Sequence, residues 1–118
     1  MERKIVVSDY FVYFLTNKTN DVLYVGGTNN LERRCLYEHR EGIADSFSKK
    51  YRTHKLVYFE IFSDPENAIA REKQIKNWRR DKKDYLVHLK NPDWFDLAEE
   101  WYRPDPPTLL GMTKKARR

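Results

Sequence analysis

Two short runs of aromatic and β-branched residues near the start of the sequence limit what this chain can fold into. The first run is YFVYFLT at 10–16, and the second is VLYVG at 22–26. The residues between them, NKTND, favour a turn, so the pattern predicts a β-hairpin with a four-residue loop over 17–20. Apolar side chains occur on both faces of the first run, which predicts a central strand that is covered on both sides. A third run, LVYFEIF at 56–62, predicts a further strand.

The predicted hairpin brings two tyrosines together. Its loop pairs Thr16 with Asp21, and the same register places Tyr13 opposite Tyr24. Directly opposed residues have Cβ atoms about 5 Å apart, so both phenols would leave one face of the hairpin, and a slip of one residue would separate them. Aromatic pairs across strands also stabilise hairpins without any further role, so the hairpin alone leaves both interpretations open.

Helices are predicted to cover the sheet. Asn30 can cap a first helix that ends near Gly42. The polar residues just before Pro65 can cap a second helix, which runs to about Arg80. A third helix is predicted over 82–89.

The end of the sequence changes in character. Pro92 favours the start of a last helix, whose packed face would hold Trp94, Leu97, Ala98 and Trp101. After residue 102 the chain turns to proline and basic residues. The sequence therefore predicts one folded domain over 1–102 and a flexible basic tail over 103–118.

Length and composition predict one small domain. A chain of 118 residues with 40% apolar content can build a single core but not two. No apolar run approaches the roughly 20 residues that span a bilayer, and the first residues lack the pattern of a secretory signal. The single cysteine, Cys35, cannot form an internal disulfide and is expected to be a buried apolar residue rather than a nucleophile. These features predict a soluble, cytoplasmic protein with no membrane contact.

The net charge of +5 is unevenly distributed. Segment 33–55 carries seven Lys and Arg residues against three acids, and segment 71–83 carries seven against two. The tail over 103–118 adds five against one. Such segments suit a basic face that meets a phosphate backbone, although solvated helix faces that bind nothing would look the same.

One carboxylate falls inside an apolar helix face. The apolar arc of the second predicted helix consists of Ala68, Ile69 and Ile75. Glu72 points into the middle of this arc, where a carboxylate is costly unless it is paired or bound to a metal. Lys76 or Arg79 could neutralise it as an ion pair. Alternatively, one carboxylate with waters and substrate phosphate oxygens is a usual way to hold Mg²⁺.

Arg34 is the remaining candidate for a site. It lies at the border of the first predicted helix, about 60° from the side of Leu31. Two phenols, one arginine and one buried carboxylate, beside basic segments, are the groups that a phosphodiester-cleaving site requires.

The motifs that carry these residues resemble those of a known nuclease group. FVYFLTN followed by LYVGGTNNLERR resembles the paired motifs of the GIY-YIG nuclease superfamily. AIAREKQIKNWRR with NPDWFDLAEEW is similar to its small, stand-alone, single-domain bacterial branch. The resemblance covers residues 9–102. It implies an α/β (α+β) fold, in which a small central three-stranded antiparallel sheet is flanked by helices, and it implies a metal-dependent DNA endonuclease.

The resemblance assigns catalytic roles to Tyr13, Tyr24, Arg34, His39 and Glu72. Glu72 would bind Mg²⁺ or Mn²⁺, and Arg34 would contact the phosphate. One tyrosine would take the proton from the attacking water, and His39 would help to organise or deprotonate the site. The implied substrate is DNA, branched or single-stranded, with DNA repair or recombination as the setting and a protein partner for targeting.

The sequence departs from the family pattern at three places. Phe11 stands where the family name has glycine, and Gly27 stands where some relatives carry a lysine. One extra residue between Arg34 and His39 turns His39 about 100° further round a regular helix. We expect either a π-bulge that absorbs the extra residue or a His39 that leaves the site.

Two other functions fit the same sequence. The first is a nucleic-acid-binding module that keeps the fold and has lost turnover, which the extra residue near Cys35 favours. The second is a protein-interaction adaptor that uses the tryptophan-bearing C-terminal helix.

Overall fold

A three-stranded antiparallel sheet forms the centre of the protein. The computed structural model describes residues 9–35 and 50–99. The strands are β1 (Tyr10–Thr16), β2 (Leu23–Thr28) and β3 (Lys55–Phe62), in the order β2–β1–β3. The predicted hairpin, third strand and central position of the first strand are confirmed, as is the α/β fold with helices beside a small antiparallel sheet.

The register of the hairpin differs from the predicted one by two residues. Thr16 lies opposite Leu23, and Tyr13 lies opposite Gly26 rather than Tyr24. The cause is in the connection, where the Asn17 side chain accepts hydrogen bonds from two backbone N–H groups, at 2.8 and 3.1 Å, and holds six residues in the loop. Because the shift is an even number of residues, Tyr13 and Tyr24 still leave the same face of the sheet.

The first helix starts as predicted and then changes geometry. Asn30 caps α1 (Leu31–Arg33) by accepting a hydrogen bond of 3.0 Å from the backbone N–H of Arg33. The backbone then becomes π-helical at Arg34 and Cys35. A wider turn of this kind is one of the two outcomes that we expected from the extra residue, and the position of His39 lies outside the described residues. The predicted end of the helix near Gly42 lies outside the described residues.

The second and third predicted helices are both present, and their bounds differ from the predicted ones. Asp64 caps α2 (Pro65–Lys76), which stops short of the predicted end at Arg80 because Arg79 takes an extended conformation. The chain then enters α3 (Arg80–Lys90), which confirms the predicted helix over 82–89 and extends it by two residues at its start and one at its end. The first side chain of α3 fixes this junction, since the Arg80 guanidinium donates to the backbone carbonyls of Asn20 and Asp21, both at 2.8 Å.

The prediction of a helix that begins at Pro92 is wrong. Residues 91–98 form turns instead, with Trp94 in the left-handed region at φ 57°. The buried Asn91 causes this, because its amide donates to the carbonyls of Val57 and Phe95 and accepts the N–H of Phe95. The predicted packed face is not formed as a helix: Trp94 is half-buried, Ala98 is buried, and Leu97 is 42% exposed. Trp101, the domain boundary after residue 102 and the basic tail lie outside the described residues.

The central strand separates two apolar layers. On one face, α2 and α3 contribute Ala68, Ile75 and Val87 to a core with side chains of all three strands. On the other face, Phe11, Tyr13 and Leu15 pack with Leu31, Cys35, Leu56 and Ala98. Ile69, which was predicted to belong to the apolar arc of α2, is 42% exposed. Within the part of the chain that the structure describes, no helix is both long and apolar enough to cross a membrane.

Candidate active site

Tyr13 and Tyr24 meet on the face of the sheet opposite to α2. Their ring centroids lie 6.1 Å apart and the rings are tilted by 35°. Tyr13 is fully buried, whereas Tyr24 is half-buried. Burial, followed by the neighbouring phenol of Tyr24 and a hydrogen bond to it, raises the pKa of Tyr13. A hydrogen bond that raises this pKa favours the protonated form of Tyr13.

Arg34 lies at the start of the π-helical turn, close enough to Tyr13 for its charge to act on that phenol. It is half-buried, and its positive charge partly offsets the rise in the pKa of Tyr13. The same charge acts on the adjacent Cys35, whose pKa burial and the charge of Asp96 nevertheless raise to about 12. Cys35 is 1% exposed, as expected for an apolar position, and its thiol stays protonated at neutral pH. The structure thus brings Arg34, Tyr13 and Tyr24 together.

Glu72 lies on α2, against the other face of the sheet. Its side chain is 19% exposed, and its Oε2 forms an ion pair with Nζ of Lys76 at 2.8 Å. Arg79, the other cation considered as a partner, instead forms an ion pair of 3.6 Å with Asp81. One oxygen of the carboxylate is therefore engaged by Lys76, as the ion-pair interpretation predicted.

Two adjacent glycines in the edge strand β2 connect the two faces. A Cβ atom at Gly26 would lie 2.6 Å from the hydroxyl of Tyr13 and 2.8 Å from the ring of Tyr24. A Cβ atom at Gly27 would lie 2.5 Å from Oε1 of Glu72. Since consecutive Cα atoms are about 3.8 Å apart, these contacts place the Tyr13 hydroxyl and the Glu72 carboxylate within about 12 Å of each other, around a strand edge that carries no side chains.

The environment of Glu72 fits a hard divalent cation with one protein ligand. Its Oε1 borders the space at Gly27 that any side chain would fill. No cluster of three or more His, Cys, Asp or Glu residues occurs within 9–35 and 50–99. A metal ion at Glu72 would thus take its other ligands from water and substrate phosphate oxygens, which is a common arrangement for Mg²⁺.

Positive charges lie close to Glu72. Burial, followed by the charges of Arg80 and Lys76, lowers the pKa of Lys83. These three cations are therefore neighbours, and Lys76 itself contacts the carboxylate. The basic segment over 71–83 that the sequence showed is thus partly gathered beside the candidate site.

One predicted site residue lies outside the described residues, and two residues near the site were not predicted from the sequence. His39 falls in 36–49, which the structure does not describe. Gly27 and Tyr10 were not predicted as site residues, yet both border the carboxylate, because a Cβ atom at Gly27 would also lie 3.2 Å from the ring of Tyr10. A pair of glycines inside a strand pattern is a signal of close approach, and it was present in YVGG.

Comparison with known proteins identifies the family. The family model of the GIY-YIG catalytic domain matches residues 9–85, a span that contains both tyrosines, Arg34 and Glu72. The chain therefore belongs to the GIY-YIG family and has the nuclease-type fold of that domain.

Its relatives are small proteins named UPF0213, a name that states no activity. One from Clostridium perfringens is 38% identical over 95 residues, which cover 80% of this chain and 95% of that protein. Another, from Haloquadratum walsbyi, is 32% identical over 81 residues, which cover 69% of this chain and 90% of that protein. The solution structure of a UPF0213 protein from Bacillus halodurans has a TM-score of 0.49 and 27% identity, covering 77% of this chain and 95% of that one.

Proposed function

We propose that the protein is a metal-dependent DNA endonuclease that hydrolyses phosphodiester bonds in the cytoplasm, with DNA repair or recombination as its setting. The observation that carries this proposal is the bare edge at Gly26 and Gly27, where phenols and carboxylate approach from two faces within about 12 Å. A metal ion held by Glu72, together with a substrate phosphate and an attacking water, would fit within such a separation.

Each residue has a role that its surroundings support. Mg²⁺ or Mn²⁺ held by Glu72 would supply positive charge at a phosphate oxygen. Arg34 donates hydrogen bonds to the non-bridging oxygens, where its permanent charge and planar shape suit a phosphate. The negative charge that develops in the transition state is therefore met by fixed donors.

Tyr24 is the proposed general base. Of the two phenols it is the more exposed, and Tyr13 is held in the protonated form by burial and by its bond to Tyr24. A free phenol has a pKa of about 10, so Tyr24 needs the neighbouring charge of Arg34 and the hydrogen bond from Tyr13 to take a proton at neutral pH. His39 stays a predicted participant.

The proposal is tested by cleavage with purified protein and Mg²⁺. The substrates are single-stranded, duplex, nicked, flapped and four-way DNA, and the variants are Glu72→Ala and Glu66→Ala. Glu66 is an exposed acid in the first turn of the same helix, so it is a matched control. We expect Glu72→Ala to lose about 100-fold or more in rate, as for loss of a principal transition-state contact, and Glu66→Ala to behave as the unaltered protein. Equal background cutting by the unaltered protein and Glu72→Ala would end the proposal.

A second candidate function is a DNA-binding module without turnover. The Lys76 ion pair on Glu72 favours it, because a carboxylate neutralised by its own helix does not need a metal. This candidate expects salt-sensitive binding of DNA and no metal-dependent nicking in the same experiment. The adaptor function relied on a helix that begins at Pro92, whereas residues 91–98 form turns and Glu99 is the first helical residue.

A further inference from the structure

An open cavity lies at the end of the sheet, where the β1–β2 loop meets the start of β3. It has a volume of about 450 Å³. Among residues 9–35 and 50–99, its charged lining consists of Lys18, Arg52, Lys55 and Asp96, and Tyr51 and His54 also line it. Three full positive charges against one negative charge make this cavity suited to an anion.

Asp96, the acid among the described lining residues, is engaged within the protein. Oδ1 of Asp96 accepts the backbone N–H of Leu56 at 3.1 Å and that of Ala98 at 3.0 Å. Burial lowers the pKa of Lys55, and the charge of Asp96 opposes that shift. Lys55 is thus a partly desolvated cation that a second negative charge, such as a phosphate, would stabilise.

The segment before β3 presents an aromatic ring and a guanidinium together. Tyr51 is 39% exposed, and Nζ of Lys50 lies 5.3 Å from the centre of its ring. Arg52 follows in the left-handed region at φ 57°, and its carbonyl accepts the N–H of His54 at 2.9 Å. A non-glycine residue in this conformation is uncommon and has a free-energy cost, and such residues are enriched where ligands bind.

The cavity is close to the candidate active site. Thr16 lines it, and the preceding residue, Leu15, lies opposite Tyr24 in the sheet. The Cα atoms of Thr16 and Tyr24 are therefore within about 9 Å of each other. Asp96 and Arg34 also both act on the pKa of Cys35, so the cavity and the arginine share a neighbour.

We propose that this cavity is a subsite for one unpaired nucleotide of the DNA strand that is cut, which rests on the nuclease function proposed above. Tyr51 stacks on the base, and Arg52 and Lys55 contact the phosphate. Stacking on a tyrosine requires a base that is not in a duplex, so the subsite selects DNA that is single-stranded beside the cleaved bond. A free nucleotide presents the same base and phosphate as a nucleotide in a strand. The competition measurement described below distinguishes these two ligands.

The test measures binding of a labelled single-stranded oligonucleotide, and of the blunt duplex of the same sequence, by fluorescence anisotropy in EDTA. The variants are Tyr51→Leu, Tyr51→Phe and Arg52→Gly, and the control is Tyr85→Leu on α3, where the tyrosine is 59% exposed. Glycine adopts the backbone conformation of Arg52 without strain, so this variant removes the guanidinium and preserves the fold.

We expect Tyr51→Leu and Arg52→Gly each to weaken single-strand binding about ten-fold, with a much smaller effect on the duplex. Tyr51→Phe keeps the ring and is expected to bind as the unaltered protein, as is Tyr85→Leu. Unchanged single-strand binding by Tyr51→Leu and Arg52→Gly overturns the subsite, and so does an equal loss on single strand and duplex. Displacement of the oligonucleotide by an equimolar deoxynucleoside monophosphate overturns the assignment to a strand.

The readout separates this inference from the function on which it rests. Binding in EDTA involves no cleavage, so the subsite can be confirmed even where no substrate is cut with Mg²⁺. If cleavage depends on Glu72 but single-strand binding is unchanged in the Tyr51 and Arg52 variants, the nuclease proposal stands and the subsite proposal is wrong.

Discussion

Glu72 occupies space that Gly27 leaves open: a Cβ atom at Gly27 would lie 2.5 Å from Oε1 of the carboxylate. The two residues come from different elements, the edge strand β2 and the helix α2. Because Gly27 has no side chain, the carboxylate of Glu72 can lie directly at the edge of the sheet. The first prediction follows from this contact.

Gly27→Ala is expected to displace the carboxylate of Glu72 and to reduce cleavage about ten-fold or more, as misplacement of a catalytic group by about 1 Å does. The carboxylate is the end of a flexible side chain, so the free energy of unfolding should change by less than about 1 kcal/mol. Cleavage rates and urea unfolding measure the two effects. Asn29→Ala, at an exposed position two residues further on, is the control. A fully active Gly27→Ala would show that the position of Glu72 does not matter.

Gly26→Ala is expected to act on stability. Its Cβ atom would lie 2.7 Å from the ring of the buried Tyr13 and 2.8 Å from that of Tyr24, and rings in a packed layer have little room to yield. Overpacking of this kind costs about 1–3 kcal/mol. Urea unfolding of the two glycine variants side by side checks the prediction. A Gly26→Ala variant no less stable than Gly27→Ala would contradict the geometry of the two faces.

Lys76→Met is expected to lower the Mg²⁺ concentration that gives half-maximal cleavage. The ammonium group lies 2.8 Å from Oε2 of Glu72 and repels a cation bound to the same carboxylate. Lys76 is 52% exposed, so the effect is that of two charges in water, about 1 kcal/mol or five-fold in concentration. Lys73→Met, at an exposed position on the same helix, is the control. An unchanged or higher Mg²⁺ requirement for Lys76→Met would show that Lys76 does not compete with the metal.

The Glu60 cluster predicts a dependence of stability on pH. Burial opposes ionisation of Glu60, but hydrogen bonds from Arg71, two of them at 2.9 Å, and from Tyr58 outweigh burial and lower its pKa. A lowered pKa in the folded state stabilises the protein fully above the unfolded value of about 4.3, and this stability is lost as the pH falls through the folded value. The difference in unfolding free energy between the unaltered protein and Glu60→Gln should therefore be largest near pH 7 and shrink below pH 4.

Urea unfolding at a series of pH values measures that difference. Glu66→Gln, which replaces an exposed acid, serves as the control and should show a small difference at every pH. If the difference in unfolding free energy between the unaltered protein and Glu60→Gln stays constant between pH 7 and pH 3, the carboxylate is not held by Arg71 and Tyr58.

Side-chain patterns predicted the sheet and the faces of its strands. Runs of β-branched and aromatic residues marked the three strands, and helical periodicity placed Glu72 among buried residues. The register of the hairpin was wrong because it depends on the Asn17 amide, which lengthens the loop to six residues through bonds that no periodicity reveals. The face of Tyr13 and Tyr24 was right in spite of this, because a shift of two residues preserves it.

Other parts of the site depend on contacts between distant segments. Pro92 and an apolar spacing favoured a helix, but the amide of Asn91 reaches the backbone of β3 and holds turns instead. The closeness of Gly27 to Glu72 joins β2 to α2 and is set by how the helix packs on the sheet. Tertiary contacts of this kind override local preference, so local sequence alone did not predict them.

The grip of Arg80 on the backbone of Asn20 and Asp21 joins residues 60 and 59 positions apart. These two hydrogen bonds hold the hairpin tip against the corner between α2 and α3, so a change in either segment disturbs the contact with the other. An affinity tag or fluorophore inserted at this tip would disturb both of these hydrogen bonds and, with them, the start of α3, even though the tip lies outside the candidate site.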